Sequence, residues 1–175
     1  MTNETPNTKP RRRWYQFSLR TLLIVVTLSA VPLGWVGWKL EQGRRQRPTI
    51  AWVGKMGGSV QFGRGWVDSW FGLVSHVDLR ESLVSDLSPL AELKNLAALI
   101  INDTPVSDLT PLAEVKNLTE LWLNDTQVSD LTPLTKLKNL YGLHLHNTQV
   151  SEEQVQELQQ ALPNCQIFHS IRDEE

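Results

Sequence analysis

Three consecutive stretches decide the fold: DLSPLAELKNLAALIINDTPVS at 86–107, DLTPLAEVKNLTELWLNDTQVS at 108–129 and DLTPLTKLKNLYGLHLHNTQVS at 130–151. The period is 22 residues, with fifteen identities between the first two units and fourteen between the last two. A fixed period of this length is the signature of a solenoid, in which each unit buries its apolar side against its neighbours. The register extends further: 22 residues before Leu99 and Ile101 stand Val77 and Leu79, and 22 after Leu143 and Leu145 stand Cys165 and Ile167. Five strand positions are therefore expected.

Within a unit, Leu96, Leu99, Ile101 and Val106 recur as Leu118, Leu121, Leu123, Val128 and as Leu140, Leu143, Leu145, Val150, the alternation of one short strand per coil. Leu87, Leu90 and Leu93 recur every third residue, as on a 3₁₀ turn that forms the opposite wall. Asp86, Asp108 and Asp130 precede these turns and are placed to accept their N–H groups, and Pro89, Pro111 and Pro133 set φ early in each turn. The buried groups of one unit, each worth about 2 kcal/mol, do not outweigh the ordering of its backbone. Folding is thus expected to be cooperative across the array.

The pattern L-x-x-L-x-L-x-x-T-x-V followed by D-L-T-P-L-x-x-L-K-N-L resembles the leucine-rich repeats of bacterial internalin-like proteins, over about residues 74–168. The resemblance implies an α/β fold: a short solenoid with parallel strands on a concave face and 3₁₀ turns on the convex one. It implies that the concave face holds proteins or other large ligands, and no catalytic chemistry. One departure stands out. Thr104, Thr126 and Thr148 occupy the position where the family stacks an Asn whose amide joins adjacent turns, and a hydroxyl has one donor where an amide has two.

Solenoid ends need covers. Ser151-Glu-Glu-Gln154 is a capping-box pattern, followed at helical spacing by Val155, Leu158 and Leu162, so residues 151–175 read as a cap helix, a last strand and a tail. At the other end, residues 51–76 read as an N-terminal cap. There a strand SVQF follows Gly57-Gly58, and Trp66, Trp70, Phe71 and Val74 share one helical face.

Residues alternating with the buried strand positions face outward. Two columns are expected on the concave face: Asp78, Ile100, Trp122, His144 and Gln166; and Arg80, Asn102, Asn124, His146 and Phe168. The candidate protein-binding residues are Asp78, Arg80, Ile100, Asn102, Trp122, Asn124, His144 and His146, with Trp122 either an interface anchor or packed on Tyr141 or the linker. His144 and His146 share a face but lack an evident third donor for a metal. Cys165 reads as a small buried hydrophobe. No catalytic, metal or cofactor motif is found, and no enzyme activity is expected.

Charge divides the chain. Residues 1–49 carry nine Lys/Arg against two Asp/Glu, a net +7, and residues 50–175 a net −9, which argues against nucleic-acid binding by the larger part. Residues 1–17 read as a basic tail. Thr21–Trp38 is an uncharged run of eighteen residues between Arg20 and Lys39, about 27 Å of helix and close to the thickness of a bilayer core. With Trp14, Tyr15, Phe17, Trp35 and Trp38 at its ends, residues 18–40 read as a transmembrane signal anchor in contact with lipid over residues 14–38. A cleaved signal peptide, leaving a secreted repeat protein, is the alternative. Five cations precede the run and four follow it. A basic tail held in the cytoplasm would place the repeats outside a bacterial cytoplasmic membrane. Glu41–Pro48 reads as the core of a juxtamembrane linker over 41–50, with repeats at 77–150. The functional expectation is a membrane-anchored, non-enzymatic protein-interaction module of the cell envelope, the alternative a self-associating structural component.

Overall fold

The structure is a computed structural model that describes residues 19–63 and 73–170, the backbone alone at 19–29, 31 and 32. Its elements in chain order are helix α1 (Leu19–Lys55), strands β1 (Ser59–Phe62) and β2 (Val74–Asp78), 3₁₀ turn η1 (Ser88–Glu92), β3 (Ala98–Ile100), η2 (Thr110–Glu114), β4 (Glu120–Trp122), η3 (Thr132–Lys136), β5 (Gly142–His146), helix α2 (Glu152–Ala161) and β6 (Gln166–Ser170). Residues 1–38 and 39–175 form two units. The second contains the solenoid.

Six strands form one sheet in sequence order. Strands β2 to β6 are parallel, and β1 pairs antiparallel with β2. From β2 to β5 the register is the sequence period, Val77 beside Leu99, Leu121 and Leu143. All four are at most 1% exposed, as are Leu79, Ile101, Leu123 and Leu145 beyond them. The opposite wall is the row of 3₁₀ turns, with Leu90, Leu112 and Leu134 fully buried. The inward assignment thus holds along the repeats; only Val150, at the last coil, is half-buried.

The three aspartates do what their spacing implies. Asp86, Asp108 and Asp130 each accept the N–H of the residue two ahead, Ser88, Thr110 and Thr132, at 2.8 Å. Hydrogen bonding by the Ser88, Thr110 and Thr132 side chains, and after it by these N–H groups, holds all three carboxyls below the ordinary carboxylate range. The threonines take a different role from the family's asparagine. Thr104, Thr126 and Thr148 donate to the carbonyls of Ile101, Leu123 and Leu145 at 2.7, 2.7 and 2.9 Å, closing their own turns instead of joining neighbours. The joining is done two residues earlier: Asn102 Oδ1 accepts Asn124 N–H at 2.9 Å, and Asn124 Oδ1 accepts His146 N–H at 3.0 Å. Between them Asp103, Asp125 and Asn147 turn the chain out of the strand with φ of 54–57°, a conformation that Asp and Asn enter more readily than most residues.

The last coil departs from the period. Leu143 pairs with Ile167 and His144 with Phe168, a step of 24 residues, not 22. The reason is α2. A helix advances only about 1.5 Å per residue, against about 2.0 Å in a 3₁₀ turn, so crossing the same wall takes more residues. Cys165 is therefore not the equivalent of Leu143. Its N–H donates to Leu162 O as that of Leu140 does to Leu137 O, which makes it the buried residue ahead of the strand. Burial also pushes its thiol up to about 11. The Ser151 hydroxyl caps α2 by accepting Gln154 N–H at 3.4 Å. Gln154 does not complete the box; its side chain accepts Leu131 N–H of the preceding coil at 3.3 Å.

At the N-terminal end the segment read as a linker is helical. Within the second unit, α1 presents Gln42, Gln46, Thr49, Ile50 and Val53 to the first coil. Gln46 and Thr49 are 2% and 4% exposed, and Val53 joins the core. Gln46 Oε1 accepts Val74 N–H at 3.0 Å, Thr49 Oγ1 donates to Pro89 O at 3.0 Å, and Asn95 Nδ2 donates to Gln42 Oε1 at 3.4 Å. Pro48 and the three arginines before it, Arg44, Arg45 and Arg47, lie on the exposed side of the helix, so the segment caps the solenoid despite its polar composition. Gly58 makes the following turn fit: a Cβ there would stand 2.5 Å from Leu79 Cδ2 and 2.7 Å from Asp78 O. Strand SVQF is where it was expected. Val74 opens β2 and is not part of a helix; Trp66, Trp70 and Phe71 lie outside the described residues, as do residues 1–17 with Trp14, Tyr15 and Phe17. Among the described residues no helix is long and apolar enough to cross a membrane. Thr21–Trp38 is helical, but most of its side chains lie outside that set.

Candidate functional site

The sheet face opposite the core carries three columns. The central one follows the register Asp78, Ile100, Trp122, His144, Phe168. The sequence placed Gln166 at its end and Phe168 in the next column; the 24-residue step moves each of them over by one column. Gln166 instead stands beside Gly142 and gives its Nε2–H to Tyr141 Oη at 3.0 Å. The shift of Phe168 brings three rings together. Trp122 and His144 stack with centroids 4.0 Å apart and planes at 21°, and His144 and Phe168 stack at 4.7 Å and 14°.

These separations are close to the spacing of neighbouring strands, about 4.8 Å. The ring faces therefore point along the sheet at one another, and the ring edges point at solvent. Edges carry the positive side of the aromatic quadrupole, along with the indole N–H of Trp122, so the column offers weak donors to whatever approaches. Burial between the rings holds the His144 pKa below its ordinary value; the charge of His146 lowers it further, and Glu120 opposes both. His144 is thus a neutral ring at neutral pH. Trp122 thus has its ring partner in the next strand, in His144.

The column on one side, His76, Ala98, Glu120, Gly142 and Gln166, was absent from the sequence reading. Extending the strand alternation by two residues toward the N-terminus would have found it. Glu120 lies between Ala98 and Gly142, and a Cβ at Gly142 would come within 3.7 Å of Glu120 Cγ. The carboxylate therefore has little side-chain bulk beside it.

The column on the other side contains the remaining candidates, and most are committed to the fold. Asn102 and Asn124 spend their carbonyl oxygens on the next coil, as described. Arg80 grips Asp78, with Nη2 2.7 Å from Oδ2 and Nε 3.0 Å from Oδ1. That grip holds the Asp78 carboxyl below its usual range and raises the guanidinium. His146 Nδ1 lies 3.0 Å from Ser170 Oγ. Beyond this column the turns enclose an open polar groove of about 470 Å³ beside Asp103, Asp125 and Asn147, where Asn147 Nδ2 donates to Asp125 Oδ1. Among the described residues no group of three His, Cys, Asp or Glu is placed to hold a metal ion.

Residues 116–160, within the periodic coils, match the family model for leucine-rich repeats in two copies. No curated protein matches the chain. Among solved structures, internalin C2 of Listeria monocytogenes is 37% identical over 50% of this chain and 38% of its own, with a TM-score of 0.47. An internalin, inlF, of the same organism is 30% identical over 51% of this chain and 28% of its own, with a TM-score of 0.45. A leucine-rich-repeat protein of Leptospira interrogans is 27% identical over 48% and 22%, with a TM-score of 0.45. The chain thus spans well under half the length of each.

Proposed function

We propose that this leucine-rich-repeat chain is a membrane-anchored, non-enzymatic module of the bacterial cell envelope, and that the open face of its sheet holds a protein partner. The observation that carries the reading is the column Ile100, Trp122, His144, Phe168. It is apolar and aromatic, rigidly spaced by the strands, and Phe168 is 44% exposed. In the column beside it Asn102, Asn124 and His146 are engaged in hydrogen bonds inside the fold, and that leaves the rings as the surface whose cover would gain most from burial. A preorganised aromatic anchor ringed by polar groups is the usual centre of a protein interface.

The anchoring part rests on the uncharged run Thr21–Trp38 within α1 and on Leu33, Trp35 and Trp38, which are 68%, 47% and 56% exposed. Helix residues of this kind are suited to lipid contact. Extraction of membranes with alkaline carbonate should leave the chain in the pellet, and protease added to intact cells should reach residues 50–175; release by carbonate would remove the anchor from the reading. For the face, the full chain in detergent, used as bait on solubilised envelope, is expected to enrich a partner that Trp122→Ala captures at least about tenfold less. The half-exposed ring at position 122 should leave the circular dichroism unchanged on removal. Equal capture by both baits would move binding off this face.

A further inference from the structure

We propose that two copies of this chain pair through their β6 strands, antiparallel and centred on Phe168, so that the two sheets become one. Among the described residues β6 is hydrogen-bonded on one side only, to β5, and ends the sheet. An outer strand presents a row of unpaired N–H and C=O groups, and proteins that stay apart guard it with charges, proline or a bulge. Strand β1, at the other end, is four residues long and shifts register between Gln61 and Phe62. Strand β6, QIFHS, has none of these guards: no Lys, Arg, Asp, Glu or Pro, and an unbroken register with β5.

What makes a second copy the fitting occupant is that β6 is complementary to itself in this register. An antiparallel pair centred on Phe168 sets Phe168 against Phe168, Gln166 against Ser170, and Ile167 against His169 of the other copy. Phe168 stacks one face on His144 and is 44% exposed at the end of the ring column. Directly opposed residues of antiparallel strands lie about 4.5–5.5 Å apart, the spacing on which the column already runs, 4.0 Å and then 4.7 Å. The column would continue through the axis as Trp122, His144, Phe168, then Phe168, His144, Trp122. The core would gain as well: Ile167 is only half-buried, whereas Leu143, Leu121 and Leu99 in the same row are 0% exposed.

The test uses the full chain in detergent micelles. Proteins carrying Gln166→Cys and Ser170→Cys, mixed under mild oxidation, should form a disulfide-linked pair, while either alone should not, because each residue faces the other and not itself. The wild type serves as control, since Cys165 is buried. Light scattering should give a dimer for the wild type, and Phe168→Lys should weaken it by about tenfold or more with circular dichroism unchanged. A wild-type chain that stays monomeric overturns the proposal, whether residues 171–175 or nothing at all lie on the edge. Self-linking of Gln166→Cys alone also overturns it, because it requires another register.

Discussion

Replacing Gln46 with leucine separates a cap from a linker. Gln46 is 2% exposed, and its Oε1 accepts the N–H of Val74 at 3.0 Å, at the point where β2 begins. Leucine has a similar size and no acceptor. The variant loses one hydrogen bond and leaves the Val74 N–H without a partner in a place water does not reach, a combined cost of about 1–3 kcal/mol. The added methyl groups recover part of this, so a loss near 1.5 kcal/mol is expected from Gln46→Leu, about a tenth to a third of a typical domain's stability. Arg45→Ala is the control: its pair with Glu41, at 3.2 Å, is exposed on both sides, and its removal should change stability by no more than about 0.5 kcal/mol. Urea unfolding of the full chain in micelles, followed by far-ultraviolet circular dichroism of the sheet, would place the Gln46→Leu midpoint lower with the slope unchanged. If Gln46→Leu and Arg45→Ala unfold together with the wild type, the helix contributes nothing to the first coil and residues 41–50 are a tether after all.

Leu121→Asp should unfold the repeats, because Leu121 is 0% exposed between Leu99 and Leu143 and an unpaired charge there costs about 4 kcal/mol or more; native-like thermal melting of this variant would contradict the inward assignment. In acid the sign is fixed by the lowered pKa values of Asp86, Asp108 and Asp130. Their contribution is complete above the ordinary carboxylate value, about 3.9, and is lost as pH falls through the depressed values of the folded chain. The triple Asp→Asn variant retains an acceptor at each turn and should lose less stability below about pH 4 than the wild type, and an identical acid limb in the two proteins would place the acid sensitivity elsewhere.

The repeats were legible because their information is apolar and periodic. Leu96, Leu99 and Ile101 announce a strand by spacing alone, and three copies fix the register without any outside reference. The cap helix was illegible for the opposite reason. Its buried face is Gln42, Gln46, Thr49, Ile50 and Val53, correctly spaced for a helix but half polar, so a search for apolar periodicity passes over it. Gly43 and Pro48 add turn signals to a segment whose helicity comes from contacts with the first coil and not from propensity. The misplaced last strand has a similar cause. The capping box of α2 is legible, but the helix takes two more residues than a 3₁₀ turn to cross the convex wall, and those two residues separate Gln166 from Phe168.

That two-residue difference matters most for function. In the unbroken 22-residue register, the face has eight candidates of mixed chemistry spread over two columns, with one tryptophan among polar groups. In the observed register, Asn102 and Asn124 bind the next coil, Asp78 and Arg80 bind each other, and His146 leans on Ser170. What remains is a single line of Ile100, Trp122, His144 and Phe168 with Glu120 at its side. A partner would therefore be read mainly by its apolar surface and by one acidic contact. A rim of satisfied hydrogen bonds would exclude water and contribute little affinity of its own. It follows that Asn124→Ala and Trp122→Ala should fail in different ways: the first by loosening the joint between the third and fourth parallel strands, with unfolding at lower urea, the second by loss of capture in a protein that unfolds as before. If Asn124→Ala abolished capture without any change in stability, its amide would be facing the partner and the division between scaffold and surface argued from these hydrogen bonds would be wrong.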